Sequence, residues 1–417
     1  MKFKLSNISK QQKQVLLLYG SSVIGLFIGV LNSVLNTRSL EPVLYGDVRY
    51  VQNVISFVSS LLLFGYFVSG SRLLALSKDE QYSRKIRGVM CVILAITVLV
   101  VMLTMACMYF ISLAQGKDNM AILYLIAIPC CGNVLMLNYI NTTSQGDNHI
   151  GRISVARLLP SAIYFCIAYF VYKYFGATPC RMLAFFNGTA VIVLFLVIAS
   201  TKPSFKDLKE SFKLLREENK TYGFNVYVGS LVAVSTGYLS GITLGQFCED
   251  NTNVGFYTLA MTLATPLSML PSIIGTTFFK QFASQFKMSR KVLLSSLGLT
   301  GLSCLLFVIF IKYVVSLLYN DSYSSVSVYA SWLAIGYSLH GLGDMFNRFL
   351  GSHGLGKELR NGAIASGLIK IAGSFLLVYF FKIEGAVVTM NLSSVAYLFM
   401  MVLYYNKFVK SHGEVIG

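Results

Sequence analysis

Across 417 residues only 12% of side chains are charged and 55% are hydrophobic, with 34 Lys and Arg set against 17 Asp and Glu for a net charge of +17. Soluble domains carry about 25% charged residues, so a soluble helical bundle is excluded: too few charges remain to solvate helices this apolar. The excess of basic residues needs no nucleic acid to explain it, because it follows from where those residues fall.

Twelve apolar runs fill the chain, at 15–38, 50–71, 89–113, 121–143, 158–175, 183–200, 222–248, 254–279, 292–318, 328–350, 363–381 and 385–405. Each can cross roughly 30 Å of hydrocarbon at about 1.5 Å rise per residue. In lipid, a segment of this length satisfies its own backbone only as a helix. Of the 34 basic residues, 26 lie before the first run, after the last, and in alternate gaps between. The other side carries seven (Arg38, Arg49, Lys117, Lys173, Arg181, Lys312 and Lys382), and Lys370 stays inside a run. The positive-inside rule then places both termini in the cytoplasm, with a surface that attracts anionic membrane lipids.

No cleavage site follows the basic start, so the first run is expected to remain as an anchor. The eight cysteines, Cys130 and Cys131 among them, sit almost entirely in apolar runs without paired spacing, so neither a disulfide framework nor a metal site is indicated. His149, His340, His353 and His412 are scattered with no cluster of acids or cysteines around them.

The longest polar gap, 201–221, reads as an amphipathic linker helix. Phe205, Leu208, Phe212 and Leu215 recur at helical spacing among Lys and Glu, which suits the cytoplasmic headgroup layer. It divides the chain into a six-helix lobe at 1–200 and a second at 222–417. An even number of crossings in each gives both halves one orientation, a parallel repeat. A weak internal repeat agrees. Tyr19-Gly20 matches Tyr222-Gly223, Tyr45-Gly46 matches Val254-Gly255-Phe256-Tyr257, the stretch 146–152 matches 354–360, and Phe175-Gly176-Ala177 matches Ile383-Glu384-Gly385-Ala386.

Function in such a chain should appear as polar stripes on apolar helices. The first run carries Ser22, Gly25, Gly29, Asn32 and Asn36 at spacings of three and four; the second carries Arg49, Gln52, Ser56 and Ser59. In the eighth, Thr258, Thr262, Thr265, Ser272 and Thr276 share a face, and Pro266 and Pro271 interrupt the backbone. The hydroxyls of Thr262 and Thr265 are expected to satisfy carbonyls that the prolines release. Close helix packing would explain any one stripe equally well.

Lys370 is harder to assign to packing. Ala363, Ser366, Gly367, Gly373 and Ser374 share its face, an apolar face lies opposite, and no acid falls within one turn. A lysine at mid-bilayer costs about 2.5–3.5 kcal/mol. Either an anionic ligand or an interhelical ion pair accounts for it. The pair would use Asp344, which already has Arg348 at i+4, the spacing of a helical ion pair or a coupling site. Arg49 is the second candidate cation, with a headgroup anchor as its alternative. Together Arg49 and Lys370 would suit a phosphate-bearing ligand.

Thr37-Arg38-Ser39-Leu40, then Leu44-Tyr45-Gly46, Phe64-Gly65 and Gly70-Ser71-Arg72, resemble the opening of Wzx-type O-antigen and capsular polysaccharide flippases. Val254-Gly255-Phe256-Tyr257 and Gly385-Ala386 fit the same family, and Glu41-Pro42 departs from it where relatives carry Gly-Pro. The resemblance implies the fold of the multidrug/oligosaccharidyl-lipid/polysaccharide exporters, in a bacterial inner membrane and with no enzymatic activity or cofactor. It implies transfer of a polyprenyl-pyrophosphate-linked oligosaccharide to the outer leaflet by alternating access. A proton or sodium gradient would drive it, since no Gly-rich Lys-Ser/Thr loop for a nucleotide is present. Lys370, Arg49, Gln52, Asn32, Thr262 and Thr265 would then face substrate, and a polysaccharide polymerase and chain-length regulator become candidate partners. A multidrug/cation antiporter would want more intramembrane acids than Asp344. A membrane glycosyltransferase or polymerase would want a carboxylate-bearing outer loop.

Overall fold

The computed structural model describes residues 10–77 and 79–413. The basic residues before Lys10, Lys78 and the side chain of His412 therefore lie outside the described part. Among the described residues there are helices and turns and no strands.

In chain order the helices are α1 (Lys10–Ser39), α2 (Pro42–Leu61), α3 (Tyr66–Leu76), α4 (Glu80–Ala114), α5 (Asp118–Ala127), α6 (Asn133–Gly146), α7 (Ile150–Phe175) and α8 (Pro179–Ser200). There follow α9 (Leu208–Glu218), α10 (Phe224–Phe247), α11 (Thr252–Ala264), α12 (Pro266–Thr277), α13 (Phe279–Phe282), α14 (Arg290–Leu318), α15 (Val326–Ser352) and α16 (Gly356–Gly413). Each expected run is recovered. The second is α2 with α3, bent by 59°; the fourth is α5 with α6; the eighth is α11 with α12; and α16 breaks at Lys382 (φ 50°, ψ −123°) into the eleventh and twelfth. The exposed surface is apolar in the manner of a lipid-facing wall, with Phe110, Ile192, Leu302, Phe310 and Phe375 each at least half exposed.

The chain condenses into two compact units. One runs through Leu40 and resumes at Val54–Val228; the other joins Glu41–Asn53 to Gly229–Gly417. The opening turns of α2 thus belong with the second unit, and the linker belongs with the first.

In the first unit α1 lies along α7, and α3, α4, α5, α6 and α8 close the bundle. Three conventional signals shape it. Asp79 caps α4 by accepting from the backbone N–H of Gln81 (2.9 Å) and Tyr82 (3.3 Å). Thr178 caps α8 ahead of Pro179, the first-turn position that proline tolerates. The α2/α3 bend rests on Phe64 (φ 44°) and Gly65 (φ 78°). A Cβ at Gly65 would stand 2.2 Å from the Gly223 carbonyl oxygen, so the Phe-Gly pair is a left-handed turn against which another backbone packs.

The linker helix α9 is stitched to this unit. Arg72 pairs with Glu218 (2.5 Å) and Lys85 with Asp207 (2.7 Å). Asn219 accepts from Ser69 Oγ (3.0 Å) and donates to the Phe64 carbonyl (3.1 Å). Leu215 is fully buried, while Phe205, Phe212 and Leu214 stay exposed. One side of α9 therefore packs on protein, and only the other is left for a headgroup layer. Lys85 donates to Asp207 and holds that carboxyl below its ordinary range.

In the second unit α15 is the central helix, packed by α11, α12, α14 and α16. An aromatic and methionine plug of Phe282, Met345, Phe349, Met401, Tyr405 and Phe408 fills one end. Left-handed residues follow the fourth and tenth spans (Asn148, φ 57°; Gly354, φ 74°) and the fifth and eleventh (Gly176, φ 77°; Lys382, φ 50°), though not at the positions that the sequence repeat equates.

Candidate functional site

Lys370 lies midway along the first arm of α16, where Ser366, Gly367, Gly373 and Ser374 leave room for neighbours; Gly373 meets Thr389 of the second arm. Its side chain is partly buried and lines a partly open cavity of about 160 Å³ within the second unit. Thr236 and Ser240 of α10, Tyr257 of α11, Tyr337 and His340 of α15 and Thr389 of α16 complete the polar wall. The wall offers hydroxyls and an imidazole and no carboxylate. Lys370 forms no ion pair, and its side chain makes no hydrogen bond within the described residues. Ser240 and Ser374, which share a hydrogen bond of 2.9 Å, tie α10 to α16 beside the cavity.

Asp344 does not compensate this charge, and it does not take Arg348 either. Tyr397 Oη donates to Asp344 Oδ1 (3.1 Å), whereas Arg348 is exposed and packs its aliphatic stem against Gly275. The expected i, i+4 ion pair is therefore replaced. A buried tyrosine on a facing helix satisfies the carboxylate, and the long arginine extends toward the polar end of α15. Tyr397 also stacks on His340, with ring centroids 4.7 Å apart, and His340 Nδ1 is buried without a hydrogen-bond partner. His340 and Asp344 are one turn apart on α15, so this spacing was a sequence signal pointing to a joint site; the scatter of the four histidines hid it.

Of the other expected site residues none lines this cavity, although the Thr265 hydroxyl bonds Tyr337 of its wall. Arg49 donates to Gln52 Oε1 (2.9 Å) and lies over the Tyr45 ring at 4.9 Å, near the start of α2 in the second unit. Gly46 there admits no side chain, because its Cβ would reach the Asn251 carbonyl at 1.8 Å. Asn32 belongs to the first unit, is 3% exposed, and donates to the Ser161 carbonyl of α7 (3.1 Å). Asn36 accepts from Tyr164 (2.5 Å) and Tyr172 (3.1 Å). The polar stripe of the first span thus bonds α1 to α7, which is the packing use of such stripes.

In the eighth span, Thr262 donates to the Thr258 carbonyl (2.8 Å) and Thr265 to the Met261 carbonyl (2.6 Å). Neither is released by a proline; Pro266 and Pro271 free the carbonyls of Thr262 and Leu267. The expected rescue therefore does not occur, because a helical threonine reaches back one turn to its own i−4 carbonyl more easily than across the break. The break itself is confined to Thr265, and α11 with α12 makes one 26-residue span.

One cation escaped the sequence reading. Arg157 looked like a loop residue because the apolar run begins after it, yet α7 starts at Ile150 and places Arg157 two turns inside. There it borders a cleft of about 210 Å³ with Asn133, Ser161 and Phe186 and forms no ion pair among the described residues. Among the described residues no group of three or more His, Cys, Asp or Glu could hold a metal ion, and the eight cysteines are free thiols.

These features define a class: an all-helical integral membrane protein of twelve spans in two six-helix lobes, with cavities into which a few polar side chains project. Residues 12–283 match the family described as polysaccharide biosynthesis protein, and the chain belongs to that family. No curated protein matches the sequence. Among solved structures it is similar to the lipid II flippase MurJ in an inward closed conformation, at 12% identity and TM-score 0.71, over 93% of this chain and 87% of that one. It is also similar to an inward-facing multidrug resistance MATE family transporter of the MOP superfamily (11% identity, TM-score 0.71, 96% and 99% covered). A third is the eukaryotic MATE transporter AtDTX14 (14% identity, TM-score 0.59, 98% and 99% covered). At such identities the likeness is one of fold.

Proposed function

We propose that this protein is a flippase that moves a polyprenyl-pyrophosphate-linked oligosaccharide from the cytoplasmic to the outer leaflet for surface polysaccharide synthesis. The observation that carries the reading is Lys370: an intramembrane cation with no acid partner, facing a cavity walled by hydroxyls, in a member of a polysaccharide biosynthesis family. Uncompensated, it is a standing cost; an anionic ligand would turn that cost into binding energy. The cavity's 160 Å³ falls below the roughly 300–1,000 Å³ of sites for drug-sized ligands, so it suits a phosphate group rather than a sugar chain. The Tyr257 and Tyr337 hydroxyls would serve phosphate oxygens, Thr389 would do so only by releasing the Gly385 carbonyl to which it now donates, and Lys370 supplies a point charge. The lipid tail would stay in the bilayer.

The basic residues on one side of the spans support cytoplasmic termini, with a bacterial inner membrane as the setting. A proton or sodium gradient supplies the energy. The reading is tested by reconstituting the protein in liposomes with the host's lipid-linked oligosaccharide and imposing an ion gradient. Gradient-dependent appearance of the glycan on the far leaflet is expected. Equal translocation by protein-free liposomes would overturn it.

A further inference from the structure

Where α15 begins and where α16 resumes after Lys382, the second unit carries a groove of about 420 Å³, large enough for a ligand-sized molecule. Its wall includes Trp332, Tyr329, Ser325, Glu384, Asn391 and Val388. Trp332 is the single tryptophan of the chain and is 57% exposed. Tyr329 Oη donates to Glu384 Oε1 over a long 3.4 Å, leaving most of that exposed carboxylate's accepting capacity open. Asn391 also lines the groove, with its Oδ1 buried against Gly336 of α15 and without a hydrogen-bond partner.

A tryptophan near a membrane boundary is ordinary as part of an aromatic belt. A belt residue, however, needs no carboxylate beside it, and an acyl tail would leave most of the Glu384 carboxylate unpaired at a real cost. The groove also contrasts with the Lys370 cavity in charge. Glu384 repels a phosphate or an anionic headgroup, and Lys382, two residues away, is already engaged: its ammonium donates to the Phe247 carbonyl (2.7 Å) and lies against the Tyr379 ring. The occupant that fits is uncharged at this point, has a C–H face for the indole and the phenol, and has hydroxyls to donate.

The geometry points to a saccharide-binding groove, in which Trp332 and Tyr329 stack on a sugar ring while Glu384, Asn391 and Ser325 take its hydroxyls. The inference rests on the flippase reading, whose topology puts this groove at the outer end, where the glycan emerges while its pyrophosphate is held elsewhere.

The single tryptophan makes the test direct. The full chain, purified in a sugar-free detergent, is titrated with the free oligosaccharide released by mild acid from the host's lipid-linked pool, and Trp332 emission is followed. A saturable change is expected, with about tenfold weaker apparent affinity in Glu384→Gln and in Asn391→Ala. Emission that ignores the oligosaccharide in protein that translocates the lipid-linked form in liposomes would overturn the groove and leave the flippase reading standing. Emission that responds to added phospholipid and not to saccharide would assign Trp332 to the aromatic belt and overturn it as well. Saccharide binding by protein that translocates nothing would support the groove and sink the flippase reading alone.

Discussion

In the first unit Arg87 is 4% exposed and paired with two carboxylates, with its Nε left unbonded; in the second, Lys370 is partly buried and pairs with no acid among the described residues. Arg87 donates to Asp147 Oδ1 (3.0 Å), Glu80 Oε1 (2.9 Å) and the Thr201 carbonyl (3.2 Å), and Asp147 accepts Arg152 as well (3.3 Å). That network joins the start of α4, the turn after α6 and the chain leaving α8, so it does structural work between elements far apart in sequence. Lys370 joins nothing. The contrast separates a charge that the fold uses from one that the fold merely tolerates, and the second kind is where a ligand is to be sought.

The comparison breaks most visibly if Arg87 is removed. Asp147 would stay buried without its main counter-ion, and loss of one partner of such a pair costs about 3–5 kcal/mol. Arg87→Met should therefore lower yield and melting temperature sharply, as read by size-exclusion profile and thermal unfolding in detergent. A folded, equally stable variant would show the network to be dispensable.

Lys370→Met should do the reverse. Removing an uncompensated cation is expected to raise stability, by at most about 2.5–3.5 kcal/mol, while transport is lost. Melting curves paired with surface glycan would check it, and a drop in stability would mean that Lys370 has a structural partner after all.

A smaller effect is expected in the eighth span. Because Thr262 donates to the Thr258 carbonyl of its own helix, Thr262→Val should cost under about 1.5 kcal/mol and leave transport near normal. A large loss of transport without a loss of stability would place that hydroxyl at substrate.

The least change is expected from the exposed Lys85–Asp207 pair. Asp207's carboxyl is held below its ordinary 3.8 chiefly by the Lys85 hydrogen bond. Its contribution is thus present above that value and fades as pH falls through the lowered one. Lys85→Ala should lower neutral-pH melting only slightly, because the pair is exposed, and the difference from the unaltered protein should vanish as pH falls through the lowered value.

The spans, the α16 break between two apolar runs and the position of Lys370 were legible because each depends on hydropathy or period, which are local properties. The Phe64-Gly65 and Tyr45-Gly46 pairs were visible as motifs, but their reason, close approach of Gly223 and Asn251, is tertiary. The same holds for Asp344: the sequence offers Arg348 one turn away, whereas the fold offers Tyr397 from 53 residues on. Asn32 read as site-facing because a polar stripe looks alike whether it meets a ligand or a neighbouring helix; only Ser161 opposite it decides. Arg157 was hidden by hydropathy itself, which marks where a helix becomes apolar rather than where it begins.

The central claim, that Lys370 holds the anionic part of a lipid-linked glycan, is tested most directly in the host at matched expression. The measurement is surface polysaccharide together with the leaflet distribution of the lipid-linked intermediate, for Lys370→Ala and Lys370→Arg. The account predicts that the alanine variant inserts and folds, shows no surface glycan and accumulates the intermediate on the cytoplasmic leaflet, while the arginine variant keeps part of the activity. Normal surface glycan from Lys370→Ala would contradict it.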